Sequence, residues 1–242
     1  MEMMRRFSKH QLTANVFSVI SSYFGTCFPS HVVVNDSIRA WRQLGFTVHE
    51  CGCLRLNEMT IKLNSEVQEG CKRGVSGWAF SGLLPDIDSI DGIPIDGSVS
   101  CDCNRAGKSD ESVDHENGVF EIDHIVIKTC NWKELDNTFR RIGIANKRSR
   151  VDEKTGTRYM FYRPSKTILE VIDRNDGSIP VAAKIWGITF SCRDIDATHN
   201  FLSDVTKTPW QAVQPGRRIT TLQSGKRDVS IALAFMSPHV KL

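Results

Sequence analysis

The stretch from Asp123 to Ile144 reads DHIVIKTCNWKELDNTFRRIGI. Its β-branched run, Ile125 to Ile127, predicts a strand, and a polar turn comes next. Trp132, Leu135, Phe139 and Ile142 then recur three or four residues apart, the spacing of an amphipathic helix. Two other stretches repeat the pattern: SHVVVNDSIRAWRQLGF, from Ser30 to Phe46, and WGITFSCRDIDATHNFLSDV, from Trp186 to Val205. In the last of these, Ile195, Phe201, Leu202 and Val205 form a looser stripe. Asp36 and Asp194 stand where an N-cap acceptor is expected.

The strands beyond each helix repeat as well. TRYMFYRPS and KTILEVID come after the second helix, hinged at Pro164 and Ser165; RRITTLQS and VSIALAFM come after the third, hinged at Gly225 and Lys226. CLRLN, MTIKLN and GVSGWAF come after the first. Each unit therefore reads strand–helix–strand–strand–strand, and the last two are in register when His124 is set on Gly187. Between the first and second units, Leu84 to Gly118 is rich in Asp, Gly, Ser and Pro. It reads as a long polar connection, mobile around Cys103 to Asn117, and its DIDSIDG run lacks the spacing of a calcium loop. The predicted organisation is α+β: residues 1–28 as a targeting segment or N-terminal helix, 29–83 as a degenerate βαβββ module, 84–117 as linker, and 118–238 as paired βαβββ modules.

Composition bounds the function from outside. The 242 residues carry 31 Lys and Arg against 28 Asp and Glu, a net charge of +3, with 40% hydrophobic residues. That argues against disorder and gives no basic stripe for nucleic acid. No apolar run approaches the roughly 20 residues of a membrane span. The eight cysteines include two C-x-C pairs, Cys51/Cys53 and Cys101/Cys103, which could supply four thiolates to zinc. Structural zinc sites use gaps of about two to four residues, so reduced, buried or surface thiols are the simpler reading. The first 31 residues are basic, rich in Ser and Thr and poor in acid, like a mitochondrial transit peptide or an ordinary first helix. The expected compartment is cytoplasm or mitochondrial matrix rather than the secretory route. The C-terminal Val-Lys-Leu only partly matches a peroxisomal signal.

Strand periodicity sorts the side chains by face. Phe120, Ile122, His124, Val126 and Lys128 share one face, as do Ile168, Glu170 and Ile172. Gly187, Thr189 and Ser191 oppose Trp186, Ile188 and Phe190; Ala232, Ala234 and Met236 oppose Ile231, Leu233 and Phe235. The bulky sets belong under the helices, so the small and polar sets should line a concave hollow. Tyr159, Phe161 and Arg163 share one face and Met160 and Tyr162 the other, so one aromatic set floors the hollow or both pack the core. Arg218, at the turn after Gln214-Pro-Gly216, either binds a carboxylate at the mouth or sits at the surface. His31 has no carboxylate counterpart near Lys62, and His199 reads as exposed. No phosphate loop, H-E-x-x-H or G-x-S-x-G is present.

The tandem unit, on GVFEIDHIVIK, ILEVI, WGITFSCRDIDAT, AVQPGRRITTL and IALAFMSP, resembles the vicinal-oxygen-chelate superfamily of glyoxalases, bleomycin-resistance proteins and extradiol dioxygenases. The resemblance covers about Gly118 to Pro238 well and Ser30 to Phe80 loosely. It implies two modules curling a mixed sheet into a half-open barrel, with helices outside and a small-molecule cup inside. The family's metal positions map onto His124, Glu170, Gly187 and Ala234, of which only the first two can ligate. The pair could then be half of a Zn, Fe, Mn or Ni site for lyase, isomerase or dioxygenase chemistry, an acid–base pair, a polar ligand anchor, or a mutually satisfied buried pair. The cofactor stays open between such a divalent metal and none, and the expected ligand-binding set is Val126, Gly187, Thr189, Ser191, Arg218, Ala232 and Ala234. The rival is a non-catalytic scaffold of the same fold, serving a protein partner, a homodimer or a mitochondrial assembly.

Overall fold

The structure is a computed structural model that describes residues 27–64, 72–83, 87–97, 113–174, 182–223 and 225–239. The N-terminal segment read as a targeting helix, the C-terminal tripeptide and the Cys101/Cys103 pair lie outside the described residues. The first unit comprises β1 (Phe28–Asn35), α1 (Ile38–Arg42), β2 (Cys53–Arg55), β3 (Thr60–Leu63) and β4 (Gly74–Ser81). A small hairpin comes next, β5 (Ser89–Ile90) and β6 (Ile93–Pro94). The second unit comprises β7 (Val119–Thr129), α2 (Trp132–Arg141), β8 (Asn146–Val151), β9 (Arg158–Tyr162) and β10 (Ile168–Asp173). The third comprises β11 (Lys184–Cys192), α3 (Ile195–Phe201), β12 (Trp210–Gln211), β13 (Arg218–Thr221) and β14 (Ala232–Met236).

The last two units build one eight-stranded mixed sheet in the order β12-β13-β14-β11-β7-β10-β9-β8. In each unit the last strand lies parallel to the first, and the units join where β7 and β11 run antiparallel. That is the predicted α+β arrangement of paired βαβββ modules. Local chemistry sets the helices. Asn131 caps α2 by accepting from the Glu134 amide, and Gly143, at φ 81°, lets the chain leave the helix through the left-handed region. Asp194 caps α3 by accepting from the amides of Asp196 and Ala197, as its position predicted. Phe201, assigned to the α3 stripe by spacing, is instead exposed, while Ile195, Leu202 and Val205 are buried.

The first unit departs from the repeat. β3 lies parallel to β1, but β4 pairs antiparallel on the other side of β1, giving the order β2-β3-β1-β4. This sheet packs across the back of the central strands. Trp41 meets Phe190 edge-on with centroids 6.4 Å apart, Phe46 lies 5.0 Å from Phe190, and Trp78 lies 6.4 Å from Phe139. Each such buried side chain contributes roughly 1.5–3 kcal/mol over its exposed state. Asp36 is not the cap of α1; Ser37 is. The Asp36 carboxylate is buried and accepts from the Trp41 indole at 3.1 Å, from Arg73 at 2.9 Å and from the Ser230 amide at 3.0 Å. It ties the first unit to the third.

The connection after β4 is less polar in practice than in composition. Ile90 and Ile93 of its hairpin are buried in the common core. His115 and Asn117, expected in a mobile stretch, are buried too. The Thr47 amide donates to His115 Nδ1 and His115 Nε2 donates to the Arg55 carbonyl, both at 3.1 Å. Asn117 donates to the Leu44 carbonyl at 2.8 Å. Cys53 is disulfide-bonded, which corrects the reading of wholly reduced thiols, whereas Cys27, Cys51, Cys130 and Cys192 are free.

Candidate functional site

On the concave side of the eight-stranded sheet a cavity of about 770 Å³ opens between the second and third units. His124 of β7 and Glu170 of β10 project into it together, with His124 Nε2 3.5 Å from Glu170 Oε2. Alternation along neighbouring parallel strands puts both on one face, as the sequence indicated. The rest of the lining includes Arg148, Arg150, Phe161 and Ile168 from the second unit, with Trp210, Val213, Ile219 and Met236 from the third.

His124 is held from behind by residues the sequence reading had not assigned to the site. Its Nδ1–H donates to Asp123 Oδ1 at 2.8 Å. Consecutive strand residues normally point to opposite faces, but here His124 pairs with Thr189 and Ile122 with Phe190, leaving Asp123 as the extra residue of a bulge. A bulge re-aims side chains, which lets the two neighbours meet. Asp123 Oδ2 in turn accepts from Arg217 Nη2 at 2.5 Å and from the Ser191 hydroxyl at 3.3 Å. Arg217 also donates to the Ser237 carbonyl and, at 3.3 Å, to His239 Nε2. Both charges are sealed, with side-chain exposures of 1% for Asp123 and 2% for Arg217. The signal available in the sequence was Asp123 itself, a carboxylate between Ile122 and the run Ile125 to Ile127, where an unpaired buried charge would be prohibitively costly.

These contacts set the protonation of the site. Burial pushes the Asp123 carboxyl up, but hydrogen bonds from His124 and Arg217 outweigh it and hold the group well below the usual carboxylate range. Burial raises the Glu170 pKa, against the opposing pull of His124 and Arg150. With Nδ1 committed to Asp123, Nε2 is left facing the Glu170 carboxyl and the cavity. At 3.5 Å the contact is too long for a good hydrogen bond, so a polar ligand atom could engage both.

The other predicted residues lie elsewhere. Val126, Gly187, Thr189, Ser191, Ala232 and Ala234 do not line the cavity, which sits toward the Met236 end of β14. Gly187 is small for another reason: a Cβ there would fall 2.6 Å from the Ala232 carbonyl oxygen, so β11 and β14 need the glycine to approach. Ser191 is buried and donates to Asp123. Arg218 alternates with Ile219, so Ile219 enters the cavity and Arg218 turns to the helix side. There its guanidinium, 41% exposed, pairs with Asp196 at 2.6 Å. Trp186 leaves the face of Ile188 because a bulge falls between Ile185 and Gly187; Ile185 is buried and Trp186 lies exposed beneath the Lys128 ammonium. His199 is half-buried and bonds the Thr206 hydroxyl.

The mapped metal positions pair His124 and Glu170 with Gly187 and Ala234, which carry no donor. Among the described residues no group of three or more His, Cys, Asp or Glu side chains is close enough to hold an ion. Asp123 is already occupied by His124 and the Arg217 cation. The residues present do not fit a resident divalent metal.

Solved structures of similar path include methylmalonyl-CoA epimerases. That from Mycobacterium tuberculosis is 13% identical, with TM-score 0.39, covering 51% of this chain and 91% of that chain. That from Streptomyces coelicolor, a variant in complex with 2-nitronate-propionyl-CoA, is 18% identical, with TM-score 0.40, covering 50% and 99%. The likeness is one of fold. No protein-family model and no curated protein matches the chain.

Proposed function

We propose that this chain binds a small organic molecule in the cup between its second and third units, with His124 and Glu170 as the polar anchor. One observation carries the reading: a cavity within the roughly 300–1,000 Å³ range of small-ligand sites, lined by both units, into which a half-buried imidazole and carboxyl converge. Asp123 and Arg217 behind His124 give the anchor a fixed orientation before any ligand arrives. A ligand carbonyl, amine or acid could bridge Nε2 and Oε2, an imidazole and a carboxyl placed to act on it as acid and base.

A thermal-shift screen of small carboxylates, thioesters and aromatic diols tests this. Ligands should raise the melting temperature of the wild type and lose that effect in His124→Ala and in Met236→Trp, which fills the cup. A screen without hits, or hits indifferent to both substitutions, would overturn the proposal.

A further inference from the structure

Charge and apolar surface are segregated around the cup. Lys147, Arg148 and Arg150 reach it from the edge strand β8, facing Glu170 as the one acidic lining residue among those described. The Arg150 guanidinium stacks on the Tyr159 ring at 4.2 Å, which fixes it in place; it attracts Glu170 and Asp152, yet among the described residues neither Arg148 nor Arg150 closes a salt bridge. In a chain with nearly balanced charge, such a cluster at a concave site focuses positive potential. The opposite wall is uncharged in its run from Trp210 to Pro215 and carries its apolar surface on Ile219 and Met236 inside, then on Trp210 and Val213 outward, with Gln211, Gln214 and His239 between them. Val213 is 86% exposed and Trp210 43%, and both belong to the cup lining. Large apolar groups left in water at a cavity mouth are explained if something apolar covers them.

We infer that the cup takes a free anionic amphiphile, a carboxylate bearing a flexible apolar chain, with its head on Arg148 and Arg150 and its chain along Ile219 and Met236 to Val213. This rests on the cup being a ligand site and adds the class of ligand. Arginine suits the head because its planar fork meets a carboxylate with two parallel hydrogen bonds. The chain covers apolar surface, so affinity grows with chain length until the mouth is reached.

Calorimetric titration with octanoate, butyrate, 1-octanol and octylammonium, below their aggregation concentrations, tests the inference. Octanoate should bind at least about tenfold more tightly than butyrate or 1-octanol, with octylammonium weakest. The exposed double substitution R148E/R150E should abolish the preference over 1-octanol, and Val213→Asp should weaken octanoate more than butyrate. Equal binding of octanoate and 1-octanol, or of octanoate and butyrate, would overturn the inference, as would indifference to both variants. Co-sedimentation with phosphatidylglycerol vesicles that octanoate does not displace would also overturn it, in favour of a membrane surface. If no amphiphile binds but a molecule from the thermal-shift screen does so through His124, the ligand class is wrong and the cup reading stands; if nothing binds, both fall.

Discussion

Asp123 and Arg217 share almost no contact with water, and each makes the other's burial tolerable. Removing one partner strands a charge, so Arg217→Met should cost about 3–5 kcal/mol in urea unfolding. Adding Asp123→Asn to that variant should recover much of the loss, because neither residue is then an unpaired ion. The depressed Asp123 carboxyl contributes stability that is complete above its unfolded pKa of about 3.9 and is lost as pH falls below it. Glu170 has the opposite sign. Its raised pKa means the folded state holds the proton more tightly, so its ionisation removes stability as pH rises above about 4.3. Glu170→Gln should therefore melt higher than wild type at pH 7, with the advantage vanishing below about pH 4; an unchanged or lower melting temperature at pH 7 would refute this. The alternation of β7 and β10 made His124 and Glu170 legible from sequence as a pair. Asp123 was hidden because strict alternation points it away from His124, and only the bulge brings them together. Arg217 was hidden by its neighbour, since nothing in the turn before them decides which arginine enters the core.

The segment from Val113 to Gly118 shows how an element with polar composition becomes ordered. Its side chains satisfy backbone groups of the first unit, above all through His115, whose two ring nitrogens serve the Thr47 amide and the Arg55 carbonyl. That arrangement needs neutral imidazole, and burial lowers the His115 pKa accordingly. The contribution is present above the unfolded value of about 6.5 and is lost as pH falls below it. Hydrogen exchange at the Thr47 amide should thus accelerate between pH 7 and 5 beyond its intrinsic trend, and His115→Gln should flatten the dependence. The three first strands were legible through their β-branched runs, and α2 through its stripe. The place of β4 was not, because a run such as GVSGWAF carries no mark of which edge of β1 it will take. Loose helical spacing likewise misplaced Phe201, since α3 ends before a second full turn can bury it.

At the scale of the whole chain, sequence repetition revealed the paired modules, while the role of the first unit depended on contacts distant in sequence. Trp41 and Phe46 pack on Phe190 at the back of the large sheet, Trp78 packs on Phe139 of α2, and Asp36 fastens that layer to the Ser230 loop. Trp41→Ala should cost about 3–5 kcal/mol, as large aromatic truncations in cores do. If the layer and the paired units melt as one, calorimetry should show a single shifted transition; two separated transitions would mean that the first unit folds on its own. The position of that layer also fixes how the molecule can move. β7 and β11 form the seam along which two modules would flex, and the first unit bridges the modules like a splint, packed on Phe190 of β11 at one end and on Phe139 of α2 at the other. Bending there would have to pull tryptophan rings out of a packed interior. Any adjustment to a guest must therefore fall to the rim, where residues 212–216 form a short turn with Val213 in solvent. Guests of different length should alter exchange in that turn and leave the amides of the seam unchanged.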